Sequence, residues 1–193
     1  MSHTTSHIAE RNMLGFWVYL MSDCVLFATL FATYMVLKGA TFGGATPQEL
    51  ANLPFVFVET VLLLTSSFTI GLAVLASQAK KKGLALTLLL LTLALGTGFL
   101  GMEVYEFIHL IGEGSGPMAS ASLSAFFTLV GTHGLHVLVG SLWMLALVLY
   151  IVRKGLVDGA QRKLMLLSLF WHFLDIIWIF IFTLVYLFGA LSI

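Results

Sequence analysis

Nine side chains able to do acid–base or ligand chemistry fall within or at the ends of long apolar runs: Asp23, Glu59, Glu103, Glu106, His109, His133, His136, His172 and Asp175. Carboxylates and imidazoles exchange protons, hydrogen-bond to partners, or ligate a metal or haem iron. His133 and His136, Glu103 and Glu106, Glu106 and His109, and His172 and Asp175 are each three residues apart, so on helices every pair can share an inward face. A charge left unpaired in hydrocarbon costs roughly 3 kcal/mol or more, so these groups must face protein or water. Three kinds of chemistry fit them: hydrogen bonds between helices that fix packing, a proton path or quinone contact, and metal or haem ligation. Glu106-Phe-Ile-His109 has the Glu-x-x-His spacing of diiron proteins, but such a site takes a second copy and two further carboxylates from other helices, and the sequence holds no second copy. Bis-histidine haem would require His133 or His136 to face His172 at one depth.

The elements that must position these groups are easy to find. Five runs, near Leu14–Leu37, Pro54–Ala79, Leu84–Leu110, Ser122–Val152 and Leu164–Ala190, exceed the roughly 20 residues a helix needs to cross a bilayer. The sequence therefore predicts an all-α membrane bundle of five transmembrane helices in a single domain over residues 1–193, behind a polar tail at residues 1–13. That tail carries no small-residue cleavage pattern and does not read as a removable signal. Gly131, Gly134 and Gly140, then Gly96, Gly98 and Gly101, and the Ala28–Ala32 step are small residues that would let helices approach closely. Trp171 and Trp178 flank His172 and Asp175, and an inward indole there could donate its N–H to a carboxylate. The lone Cys24 reads as a small buried hydrophobe.

Composition narrows the function classes. The chain has 193 residues, 60% hydrophobic and 9% charged, with mean hydropathy +1.04; soluble domains carry about 25% charged residues. That excludes a cytosolic enzyme, a nucleic-acid binder and a disordered scaffold. Nine basic residues balance nine acidic ones, so position carries the information. Lys80, Lys81, Lys82, Arg153, Lys154, Arg162 and Lys163 lie in alternate connectors, Arg11 precedes the first run, and Lys38 alone lies on the other side. The positive-inside rule then predicts a cytoplasmic N-terminus and an outer C-terminus. At about 1.5 Å per residue, Asp23, His133, His172 and Asp175 fall about 12–17 Å deep, while Glu59, Glu103, Glu106 and His109 form a second layer about 5–10 Å below the outer surface.

Gly15–Phe27 (GFWVYLMSDCVLF), Gly101–Phe107 (GMEVYEF), Phe126–Ser141 (FFTLVGTHGLHVLVGS) and Trp171–Trp178 (WHFLDIIW) together resemble subunit III of the haem-copper terminal oxidases. Leu53–Thr60 (LPFVFVET) is most similar to the short, five-helix branch found in cytochrome bo-type ubiquinol oxidases; longer members carry two more N-terminal helices. The resemblance implies a non-catalytic subunit of a proton-pumping respiratory quinol oxidase in a bacterial inner membrane. Within the complex, quinol is oxidised and oxygen reduced to water. It further implies haem and copper in subunit I and no cofactor in this chain. The expected partners are subunits I, II and IV and membrane phospholipids, with no nucleic acid, and the expected roles are assembly, lipid binding and support of proton uptake. The family's carboxyl-reagent-sensitive glutamate, in an S-E-x-x-x-F context, is here Asp23, one methylene shorter. Two other readings stand beside it: subunit III of a cytochrome c or menaquinol oxidase, and a small proton-coupled transporter using Asp23, His133, His172 and Asp175 as a relay.

Overall fold

The computed structural model describes residues 2–43 and 52–188, with side chains from Met13 onward. Five long helices, α1 (Ser2–Leu37), α2 (Leu53–Gln78), α3 (Lys82–Gly112), α4 (Ala121–Lys154) and α5 (Asp158–Ile181), are followed by one π-helical stretch, Phe182–Leu187. All five are long and apolar enough to cross a membrane, α1 from Met13. In hydrocarbon every backbone polar group must be satisfied internally, and apolar runs free of internal proline do this as helices. Local signals fix the ends. Asn52 caps α2, its side chain accepting from Phe55 N–H, with a proline in the first turn; Ser120 caps α4, accepting from Leu123 N–H. Gly155 ends α4 at φ +78°, a left-handed conformation that spares glycine the Cβ clash.

The polar stretch expected at residues 1–13 is helical from Ser2 and continuous with α1: nothing in it breaks a helix, and a helix can continue into water. For the same reason α5 begins at Asp158, six residues before the apolar run, with Asp158 complementing the dipole of its first turn. The expected end of the last helix at Ala190, and Pro47 in the first connector, lie outside the described residues.

Helices α2, α3, α4 and α5 form a closed ring in which each packs on the next and α5 returns to α2, while α1 lies outside the ring against α4 and α5. The alternate connectors meet at one end, where Lys82 Nζ donates to the Val152 carbonyl at 3.4 Å and Gln161 Nε2 to the Ser77 carbonyl at 2.8 Å. At the other end Ser122 ties α4 to the turn just after α1 through the Lys38 carbonyl at 3.0 Å.

Trp171 occupies the middle of the ring. A Cβ on Gly96 of α3 would lie 2.7 Å from its indole, and one on Gly140 of α4 would lie 3.1 Å away. These glycines, with Gly134, are the close approaches that the small residues promised. Gly98 and Gly101 have nothing within 4 Å, and Ala28 and Ala32 are exposed. Helix geometry explains the miss: Ala28 lies about 140° around α1 from Asp23, so burying Asp23 and Phe27 turns it outward. Cys24, about 100° from Asp23, is likewise exposed rather than buried.

Candidate functional site

Helix–helix association in lipid gains little from the hydrophobic effect, so packing and interhelical hydrogen bonds carry it. The α2–α5 seam is laced by such bonds in antiparallel order: Trp178 Nε1 donates to Thr60 Oγ1 at 3.0 Å, Trp171 Nε1 to Ser66 Oγ at 2.9 Å, and Ser67 Oγ meets His172 Nδ1 at 2.6 Å. The two indoles thus use hydroxyls, not the carboxylates expected of them. Each hydroxyl is doubly used, since Thr60 also donates to the Val56 carbonyl and Ser66 to the Leu63 carbonyl. Thr69 joins α2 to α3 through Thr92 at 2.8 Å.

The midplane acids and histidines separate into three places. Between α1 and α4, Asp23 Oδ2 lies 3.8 Å from His136 Nε2, and the Tyr19 hydroxyl also bonds Asp23. His136 Nδ1 lies 2.7 Å from the Thr132 carbonyl, an acceptor only, so Nδ1 carries a hydrogen. Nε2 and the carboxylate then attract only if the pair holds one further proton, on either atom. Between α2 and α5, the Ser67 hydroxyl meets His172, and the buried Asp175 lies on the same helix three residues on, its Oδ1 without a hydrogen-bond partner among the described residues. His133 stands alone. It is fully buried among Phe27, Phe99 and Trp178, with ring centroids at 6.4, 5.9 and 5.3 Å, and among the described residues neither of its nitrogens has a hydrogen-bond partner. Rings from three other helices enclose it, which leaves no open face for a porphyrin.

The outer layer gathers more tightly. Glu59, Glu103 and Glu106 are all buried and near enough to act on one another electrostatically. Tyr186 donates to Glu106 Oε2 at 3.1 Å; Glu103 packs its carboxyl against Gly134 of α4, where any side chain would collide. The π-helical stretch makes this contact. In an unbroken α-helix Tyr186 would sit about 80° around from Trp178, and the wider π turn returns it to the same inward side, with ring centroids 6.4 Å apart. Both oxygens of Glu59 lack a partner among the described residues.

His109 departs from the expected inward set. Its side chain is 59% exposed and pairs with Glu113 at 3.5 Å. Successive i,i+3 steps each fall about 60° short of a full turn, so Glu103, Glu106 and His109 spread over about 120°, and the last cannot share the buried contact. That removes the Glu106–His109 pair as half of a diiron site. Among the described residues, no group of three or more His, Cys, Asp or Glu side chains is placed to hold a metal ion. Sequence reasoning missed Tyr19, Thr60, Ser66, Ser67, Thr92 and Tyr186. A roll of Ser and Thr inside the apolar runs would have found the hydroxyls; the π turn leaves no sequence signal.

A family profile described as cytochrome c oxidase subunit III matches residues 1–190. The chain is 55% identical to the cytochrome bo(3) ubiquinol oxidase subunit 3 of Pseudomonas aeruginosa, over 98% of this chain and 91% of that one. It is 52% identical to the protein of the same name from Pseudomonas putida, over 94% and 88%, and 46% identical to the quinol oxidase subunit 3 of Bacillus subtilis, over 95% and 90%.

Proposed function

The chain belongs to the cytochrome c oxidase subunit III family, and from that premise we propose that it is the non-catalytic third subunit of a proton-pumping ubiquinol oxidase in a bacterial inner membrane. Its partners are subunit I, which carries the haems and copper, subunits II and IV, and membrane phospholipids. The observation that carries the non-catalytic role is that His109, His133, His136 and His172 sit in four separate places rather than around one centre. His136 is held by Asp23 and Thr132, His172 by Ser67, His109 by Glu113, and His133 is caged by aromatic rings. Set apart in this way they do not fit a haem or copper centre; the Asp23–His136 and Ser67–His172 contacts join helix to helix, while His109 pairs along its own helix end.

The basic connectors, together at one end of the bundle, face the cytoplasm; the N-terminus lies on that side and the C-terminus outside. The subunit supports proton uptake by subunit I, and the Asp23–His136 contact at the outer helix, 3.8 Å apart, is the pair through which it acts. Purification through a tag on this chain is the test. It is expected to bring down a haem-bearing membrane subunit in equal amount, whereas the chain purified alone is colourless; a Soret band from the isolated subunit would overturn the reading.

A further inference from the structure

Between α1 and α2, with α5 as its floor, runs a mainly apolar groove of about 510 Å3. Trp17, Val74, Met165 and Leu169 line it, and His172 closes its deep end. Gly71 on α2 leaves room there: a Cβ at that position would meet His172 Nε2 at 4.0 Å and nothing nearer. Nδ1 of the same ring is taken by Ser67 at 2.6 Å, whereas Nε2 has no hydrogen bond among the described residues.

Volume alone admits any ligand of one substituted ring or an acyl chain. Depth discriminates. His172 lies about 12 Å along α5 from Leu164, where the apolar run begins. A phospholipid places its hydrogen-bonding groups at the interface and offers only hydrocarbon at that depth. An occupant that uses His172 must carry a small polar group on an otherwise apolar body.

Ser67 Oγ lies 2.6 Å from His172 Nδ1, and a hydroxyl can accept from Nδ1–H or donate to a bare Nδ1. In the first tautomer Nε2 presents a lone pair to the groove; in the second it presents N–H. The groove therefore offers an acceptor or a donor, set by the ring tautomer. A hydroquinone O–H meets the first state and a quinone carbonyl the second.

We propose that this groove binds the ring of a quinol or quinone, with a ring oxygen on His172 Nε2 and the isoprenoid tail leaving the groove into the surrounding hydrocarbon. The site binds and releases its ligand without electron transfer. The inference rests on the quinol-oxidase reading, which supplies the ligand.

The test is photolabelling of the assembled, purified oxidase with a short-tailed azido-ubiquinone, followed by mass spectrometry of this subunit. Label is expected on the α2 and α5 peptides that border the groove, displaced by excess ubiquinol and not by phosphatidylethanolamine. Gly71→Leu, which fills the deep end, should cut that label about tenfold or more, the equivalent of about 1.4 kcal/mol, while label elsewhere in the complex stays constant. Met165→Trp, a change at the exposed mouth, gives the same readout if the deeper substitution blocks assembly. Label that survives both substitutions, or that phospholipid displaces as well as ubiquinol does, overturns the proposal. The two readings fail separately: a chain that does not co-purify with haem sinks the oxidase assignment, and an unlabelled groove in a fully assembled oxidase sinks only the quinone site.

Discussion

Trp178 illustrates how single side chains hold this bundle. Its indole stacks near His133, meets Phe99 edge-on with centroids 4.6 Å apart, and donates to Thr60. Trp178→Phe keeps an aromatic ring and removes the donor, and Thr60 retains its bond to Val56. The expected loss is about 0.5–1 kcal/mol, measured as thermal unfolding of the detergent-solubilised complex. His172→Leu goes further, because Ser67 loses its partner and Asp175 remains buried beside it. A loss of about 1–3 kcal/mol is expected in the same assay, and an unchanged midpoint would contradict the pairing. Asp23→Asn removes the carboxylate from the His136 pair. Assembled oxidase is expected to keep its initial rate of oxygen consumption within about twofold while losing activity faster during turnover; complete loss of turnover would place Asp23 in the chemistry.

Helices came through the sequence clearly, and their rotations did not. An apolar run of more than about 20 residues has one stable form in lipid, so the existence and order of α1 to α5 follow from length alone. Which face turns inward depends on partners that the chain must choose by packing. Asp23 therefore pairs with His136 rather than His133, which lies about 60° away on α4, and His109 leaves the acidic cluster altogether. The polar residues of the site were readable by type; the hydroxyls that bind them were visible as residues but not as partners, because Ser and Thr are ordinary in membrane helices. Glycines make the same point experimentally. Gly96→Val drives a side chain into Trp171, for which overpacking costs about 1–3 kcal/mol. Gly98→Ala two residues later meets open space and should stabilise α3 by up to about 1 kcal/mol. Retention of the subunit during detergent purification should fall for the first and not for the second.

At the scale of the whole molecule, zero net charge conceals a basic edge and an acidic interior. Reporter fusions at the Lys80–Lys82 and Arg153–Lys163 connectors are expected to read as cytoplasmic, and fusions near Pro117 as external; the opposite pattern would reverse the orientation proposed from the positive-inside rule. The closed ring of α2 to α5 makes α1 the element with most surface to offer a neighbour, and Ala28, Ala32 and Cys24 lie on its exposed side. The chain has one cysteine, so its outward position turns a minor packing error in the sequence reading into an optical ruler. A fluorophore attached to that thiol needs no cysteine removed from this chain, and energy transfer to haem falls steeply with separation. Its brightness in the intact oxidase, set against the isolated subunit, measures how far the outer helix stands from the nearest haem.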